Sequence, residues 1–271
     1  VIVIGTGSGG SVGAHMLNKQ GKKIAVVEQE NIGGECPNFG CIPTKALLQA
    51  AETLETIERA DGFGVKVTGT KLDYKALKAW KDTSVHNTGT WNGEVSYKDD
   101  GIAVLKGHSH FIDPWTLSIK GKRYTAKKFL IATGTHDFVP PIPGLEDTGY
   151  IGYREALDFT TPPKSLFIIG GGAIGCEFTQ VFSTFGVQVH IAEYSERLLG
   201  KEDPEIGELA QALFEQKGVQ VHVESKVIKV EKKDKQKIVT IETHGKKHKI
   251  TVDEIMLAAG KVPNTDLGLE N

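Results

Sequence analysis

Val1–Glu30 reads VIVIGTGSGGSVGAHMLNKQGKKIAVVEQE, and Leu166–Ser195 reads LFIIGGGAIGCEFTQVFSTFGVQVHIAEYS. The two segments align without a gap at an offset of 165 residues. Gly5 falls on Gly170, Gly7 on Gly172, Gly10 on Gly175, Gly21 on Gly186 and Glu28 on Glu193. Each copy is a short β-branched run, a glycine turn, a helix-like stretch, a Gly stop and a second apolar run ending in Glu. That order is strand, helix, strand, and it occurs twice. A chain built on this repeat is expected to be α/β, with two doubly wound domains of the Rossmann type.

Outward from the repeat, proline marks the joints. Pro140-Pro141-Ile142-Pro143-Gly144 fits neither a helix interior nor a central strand, because proline lacks the N–H and restricts the residue before it. Thr161-Pro162-Pro163 then punctuates the entry to the second copy. Domains are expected over 1–150 and 151–264. Helices are expected over Lys45–Arg59, Tyr74–Lys81 and Pro204–Lys217. Strands are expected within Val104–Ile119, around an Asp113-Pro114 turn, and over Lys128–Ala132, Val219–Val230, Ile238–Thr243 and Ile250–Leu257.

Bulk properties narrow the function classes. The 271 residues suffice for two cores, and 39% apolar with 24% charged residues is a globular composition. A formal charge of −2 offers no attraction to nucleic acid or to an anionic membrane, so neither is expected as a partner. No apolar run is long enough to span a bilayer. Three cysteines are too few for a disulfide-stapled secreted scaffold, and a cytoplasmic setting is expected. The chain opens directly on Val1-Ile2-Val3-Ile4 and stops at Leu267-Gly268-Leu269-Glu270-Asn271 without a closing element, which reads as a piece of a longer protein.

In each copy the first glycine permits a tight turn, the second lets backbone approach a pyrophosphate, and the third lets helix and strand pack closely. The helix N-terminus then faces the phosphates. An acid follows the third glycine by 18 positions in both copies, Glu28 and Glu193, where a ribose diol is held. Two bare strand–turn–helix units would not need matching acids, so two dinucleotides are expected. A carboxylate at Glu193 accepts from a free 2′-hydroxyl and repels a 2′-phosphate, which favours NADH over NADPH.

Gly33-Gly34-Glu35-Cys36-Pro37-Asn38-Phe39-Gly40-Cys41-Ile42-Pro43-Thr44-Lys45 follows the first copy. Residues five apart in a regular helix lie about 8.6 Å apart, whereas a disulfide rarely spans more than about 7 Å. The pair closes only if the segment is irregular, as Pro37 and Gly40 allow. A helix starting near Cys41 or Pro43 would favour a thiolate at its N-terminus. Zinc wants four ligands at its own spacings, and Cys176 with scattered histidines supplies no second pair, so no metal site is expected. Redox activity is preferred over zinc or a structural pair, and Cys176 reads as a packed small hydrophobe.

At these residues Gly33–Lys45 resembles the active-site signature of the class I pyridine nucleotide–disulfide oxidoreductases. Ile131-Ala132-Thr133-Gly134 resembles that family's flavin-domain strand end, and Leu257–Asn264 its exit from the nicotinamide domain. The resemblance implies FAD and NAD as cofactors, with 1–150 as the FAD domain, 151–264 as the NAD domain and 265–271 beginning a return to the former. It implies that Gly5, Gly7, Gly10, Glu28 and Gly34 hold FAD, with Ser109 near the adenine and Thr133 and Gly134 on the flavin side. Cys36 would be the interchange thiol and Cys41 the thiol beside the flavin. Lys45 would lie near the flavin ring, paired with Glu177. Gly170, Gly172, Gly175, Glu177, Glu193, Val227 and Gly260 would line the NAD site. Ala173 in place of a gating Tyr points to the dihydrolipoamide dehydrogenase branch. The implied substrate is a small dithiol or disulfide, or a lipoyl group, and the implied full-length state is a homodimer. A mercuric reductase-like or other small-disulfide or quinone reductase is the alternative, with a non-catalytic flavoprotein behind it. The family's C-terminal His–Glu pair has no counterpart motif in these residues.

Overall fold

The computed structural model describes residues 1–270. Asn271, the last residue of the expected return segment, lies outside the described residues. The fold is α/β, and its contacts group into two compact units that interleave along the chain. The first comprises Val1–Pro43, Asp82–His136 and the residues from Lys261 on; the second comprises Thr44–Lys81 and Asp137–Gly260.

The first unit is built on a parallel sheet in the spatial order Ala103–Lys106, Ala25–Glu28, Ile2–Ile4, Phe129–Ile131. Side chains alternate across a strand, so Val3 and Val26 face one way and Ile2, Ile4 and Val27 the other. Val3 and Val26 pack with Ala14 of the helix Ser8–Lys19 and with Ile24, Ile32, Tyr97 and Ile102. Ile2, Ile4 and Val27 pack with Phe111, Leu117 and Ile119. Those three residues come from an antiparallel sheet of Ser109–Asp113, Thr116–Ile119 and Lys122–Thr125. Both sheet faces are therefore covered, which is why its strands read as unbroken apolar runs.

The second unit repeats the plan. Its parallel sheet runs Gln220–His222, Gln188–Ala192, Ser165–Ile169, Glu254–Leu257. Its antiparallel sheet of Ser225–Lys233, Gln236–Thr243 and Lys246–Val252 supplies Val227, Val230, Val239, Ile241 and Val252 to a core with Phe167 and Ile169. The helix Cys41–Glu58 is anchored late in its course, where Glu55 accepts hydrogen bonds from Gln180, Thr184 and Lys217.

Several expected elements are redrawn. Val219–Val230 is two strands, broken at Glu224, whose φ is +49°. Ile250–Leu257 is also two, one in each sheet, divided at Asp253. The Asp253 carboxylate accepts from Lys164 N and Ser165 N, both at 3.0 Å, and so turns the chain from one sheet into the other. The helix beginning at Tyr74 continues to His86, and Gly93–Asp99 forms a helix that the apolar pattern does not announce. Among the described residues no helix is long and apolar enough to cross a membrane.

Candidate functional site

In each unit the expected site residues gather at the carboxyl ends of the parallel strands. Gly5 follows Ile4, Glu28 ends its strand, and Thr133 and Gly134 follow Ile131. Gly170 follows Ile169, Glu193 follows Ala192, and Gly260 lies just beyond Leu257. That edge is where open parallel sheets bind ligands.

The two glycine turns share one backbone. Gly5 and Gly170 adopt φ of +97° and +112°, a region that side chains rarely enter. A β-carbon on Gly5 would sit 2.2 Å from Ala132 O, and one on Gly170 2.3 Å from Ala258 O. On Gly10 or Gly175 it would meet the carbonyl oxygen of the turn's first glycine at 1.9 Å. These close approaches explain four of the glycines sterically, without reference to any ligand. Gly7 and Gly172 are different. A β-carbon on Gly172 would meet nothing within 4 Å, and one on Gly7 only Gly34 Cα at 3.9 Å. Their value is the open space above them.

The helices that follow, Ser8–Lys19 and Ala173–Thr184, begin at Gly7 and Gly172 with no side-chain cap and no acidic residue in the first turn. The N–H groups and positive ends of both helices are thus left for an anion. Each acid is held in place by the backbone. Glu28 Oε2 accepts Thr6 N at 3.1 Å and Thr6 Oγ1 at 2.5 Å, while Oε1 accepts Glu30 N at 2.9 Å. Glu193 Oε2 accepts Gly171 N at 2.7 Å, while Oε1 accepts Ser195 N at 2.8 Å. Because a carboxylate offers about four acceptor positions, both retain capacity for a ribose hydroxyl.

The cysteine segment is built onto the first turn. Gly34 has φ +67°, and a β-carbon there would lie 2.6 Å from Gly7 Cα. Gly33 N donates to Thr6 Oγ1 at 3.3 Å. Asn38 Nδ2 donates to Ile32 O and Gly34 O at 3.0 and 2.7 Å, fastening the loop. Cys36 lies in the short helix Glu35–Asn38, and Cys41 is the first residue of the helix Cys41–Glu58. Phe39 and Gly40 both donate to Glu35 O at 2.8 Å, so the segment doubles back between the cysteines. Both are held as thiols rather than as a disulfide, Cys36 half-buried and Cys41 exposed.

In the second unit Lys45 and Glu177 form an ion pair. Cys176 is buried, its thiol pushed up to about 12 by burial and by the nearby Glu193 and Glu177 carboxylates, and Sγ donates to Gly171 O. Its side chain packs in the interior. Val227 turns its side chain into the core, so only its backbone could line a ligand. Ser109 is likewise buried, opposite Ile119 in its ladder. Thr133 Oγ1 donates to Asn264 O at 2.7 Å, and Asn264 Nδ2 donates back to Thr133 O at 2.8 Å. Thr6, Asn38 and Asn264 therefore shape the site although sequence reading assigned them no role. Asn38 and Asn264 stood inside the quoted motifs, and Thr6 occupies the variable position of the first glycine motif.

The sequence profile of the family described as pyridine nucleotide-disulphide oxidoreductases matches residues 1–271. The chain belongs to that family. It is 37% identical to a dihydrolipoyl dehydrogenase of Thermus scotoductus, covering 100% of this chain and 59% of that protein. It is 32% identical to a mercuric reductase of Staphylococcus aureus, covering 100% of this chain and 50% of the relative. Among solved structures, the Cu(II) complex of the HOCl-induced flavoprotein disulfide reductase RclA from Escherichia coli superposes with a TM-score of 0.84 at 29% identity. That match covers 100% of this chain and 58% of the other. The chain thus spans half to three-fifths of the length of these relatives. The cofactors of this oxidoreductase family are FAD and NAD(P)H. The two open, uncapped glycine turns and their fixed carboxylates fit two such dinucleotides.

Proposed function

We propose that the unit holding the first glycine turn binds FAD, that the unit holding the second binds NAD(H), and that Cys36 and Cys41 are the redox pair. The observation that carries this reading is the seating of Gly34 against Gly7, which builds the cysteine loop directly onto a dinucleotide turn. When bound, FAD supplies the two-electron exchange between a hydride donor and a disulfide that a nicotinamide does not perform directly.

The chain's own chemistry is thiol–disulfide exchange. In the direction of dithiol oxidation, a substrate thiolate attacks Cys36 of the Cys36–Cys41 disulfide, and Cys41 leaves as a thiolate. The second substrate thiol, once deprotonated, attacks its own sulfur in the mixed disulfide, releasing Cys36 and a cyclic disulfide. Cys41 is the thiol we assign to the flavin side, and Glu28 and Glu193 to the two riboses. Lys45, oriented by Glu177, is assigned to the flavin ring. The identity to dihydrolipoyl dehydrogenase supports a lipoyl-type dithiol as substrate, and the mercuric reductase match supports Hg²⁺ as the second reading.

Absorbance spectra of the FAD-reconstituted chain test the roles. Cys36→Ser should retain a long-wavelength thiolate–flavin band and Cys41→Ser should lack it. Equal spectra in the two variants reject the assignment.

A further inference from the structure

Beside the cysteine pair lies a charge that thiol exchange leaves unused. Glu35 immediately precedes Cys36 on the short helix Glu35–Asn38. Its stem folds beneath the loop joining the cysteines: a β-carbon on Gly40 would lie 3.5 Å from Glu35 Cγ and 3.4 Å from Cys36 Cα. Its Oε1 is buried, and Lys261 Nζ lies 3.6 Å away. Lys261 begins the strand Lys261–Pro263, whose position is fixed by Asn264 N donating to Gly134 O at 3.0 Å. The backbone from which the Lys261 side chain extends is therefore held in place.

We propose that Glu35 and Lys261 are a positioning pair that balances the charge beside Cys36 and so sets how much of that thiol is ionised. The proposal rests on the redox-pair reading, because only a reacting thiol needs its thiolate fraction set. A carboxylate one residue before a thiol opposes ionisation, and an ammonium held against that carboxylate cancels the effect. Half-buried charges are poorly screened, so the influence is larger at half-buried Cys36 than at exposed Cys41. The other charges along this stretch have partners or face water. Glu28 is held by Thr6 and Glu30 N, Glu30 is exposed, and Lys45, one turn beyond Cys41, is paired with Glu177. Glu35 and Lys261 are left as the pair next to the interchange thiol.

The test is the rate of iodoacetamide alkylation against pH in the reduced 271-residue chain, with label localised to Cys36 or Cys41 by fragment mass spectrometry. Near neutral pH, Glu35→Gln should speed Cys36 alkylation by roughly three- to tenfold, since the carboxylate charge beside the thiol is removed while the Lys261 ammonium stays. Lys261→Gln should slow it by a similar factor, the double variant should return near wild type, and Lys261→Arg should leave the profile in place. Single variants that do not move the profile, or that move it in the same direction, overturn the proposal. Should Lys261→Gln melt early by circular dichroism, Glu35→Gln decides alone, and the absence of acceleration rejects the pair. A separate arm oxidises the wild-type chain with oxidised dithiothreitol and maps its disulfides. Failure to form Cys36–Cys41 would sink the redox-pair reading, whereas opposite shifts in the two single variants concern the ion pair alone.

Discussion

The two glycine turns share a backbone and first part company at the residue after the leading glycine. Gly5 N donates to Val27 O and Gly170 N to Ala192 O, each at 2.8 Å, and these partners stand at equivalent places in the repeat. The next residue is Thr6 in one turn and Gly171 in the other. Thr6 closes over its acid, so that Glu28 is 7% exposed and takes three donors among the described residues. In the second turn that space is filled differently, since a β-carbon on Gly171 would meet Leu198 Cδ2 at 2.6 Å and Glu193 Cβ at 2.9 Å. Glu193 is half-buried and takes two donors. An acid closed over by its neighbour suits a group that stays bound, and a less covered acid suits a group that comes and goes. The difference in side chains matches the proposed assignment of a resident flavin and an exchanging nicotinamide.

The sharpest way to break the equivalence of the backbones is Gly5→Ala against Gly170→Ala. Each forces a β-carbon into a carbonyl oxygen at positive φ, and each should cost roughly 3–5 kcal/mol in urea unfolding. Markedly unequal losses would mean that the turns are not interchangeable after all. A smaller effect sharpens the difference between the acids. Glu193→Arg should weaken NADH binding by about tenfold or more and gain for NADPH, by exchanging a hydroxyl acceptor for a phosphate partner. Titrating wild type and variant with both nucleotides checks this, and a wild type that already prefers NADPH overturns the reading of Glu193.

The smallest expected effect is acid sensitivity of the second unit. His190 and His222 stack on adjacent strands with ring centroids 5.6 Å apart, whereas Ala25 takes His190's place in the first copy. Burial, then the nearby His190 and His248, holds His222 down at about 4 against an ordinary 6.5. An unfolded chain binds more protons between those values. Stability present above about pH 6.5 is therefore lost as pH falls towards about 4, on the order of 1 kcal/mol once solvent screening is allowed for. Melting temperature against pH should fall less steeply in His222→Phe. An unchanged slope would remove this asymmetry between the units.

How much of this was legible depended on range. The repeat was plain because both copies carry the same glycines and the same acid at the same spacing within 30 residues. The break at Glu224 was hidden because apolar alternation leads up to it and resumes beyond it. Asp253 takes its meaning from Lys164 and Ser165, 89 and 88 residues earlier, which local pattern does not register. Glu55 reads as a solvated helix face, yet it anchors that helix through Gln180, Thr184 and Lys217. The Lys45–Glu177 pair came from family resemblance, not from spacing. Thr6 and Asn38 were missed because their contacts serve the loop's shape and carry no chemical signature of their own.

The reciprocal bonds between Thr133 and Asn264 have a further consequence for modularity. The chain leaves the first unit after His136 and re-enters it at Lys261. His136 Nδ1 lies 2.7 Å from Asn264 Oδ1, so the exit and the return are sutured side by side. Ends that meet in this way are the geometry that domain insertion and circular permutation exploit. The stretch from Asp137 to Gly260 therefore starts and finishes at one fastened edge, while Thr44–Lys81 joins the same unit through a separate pair of crossings.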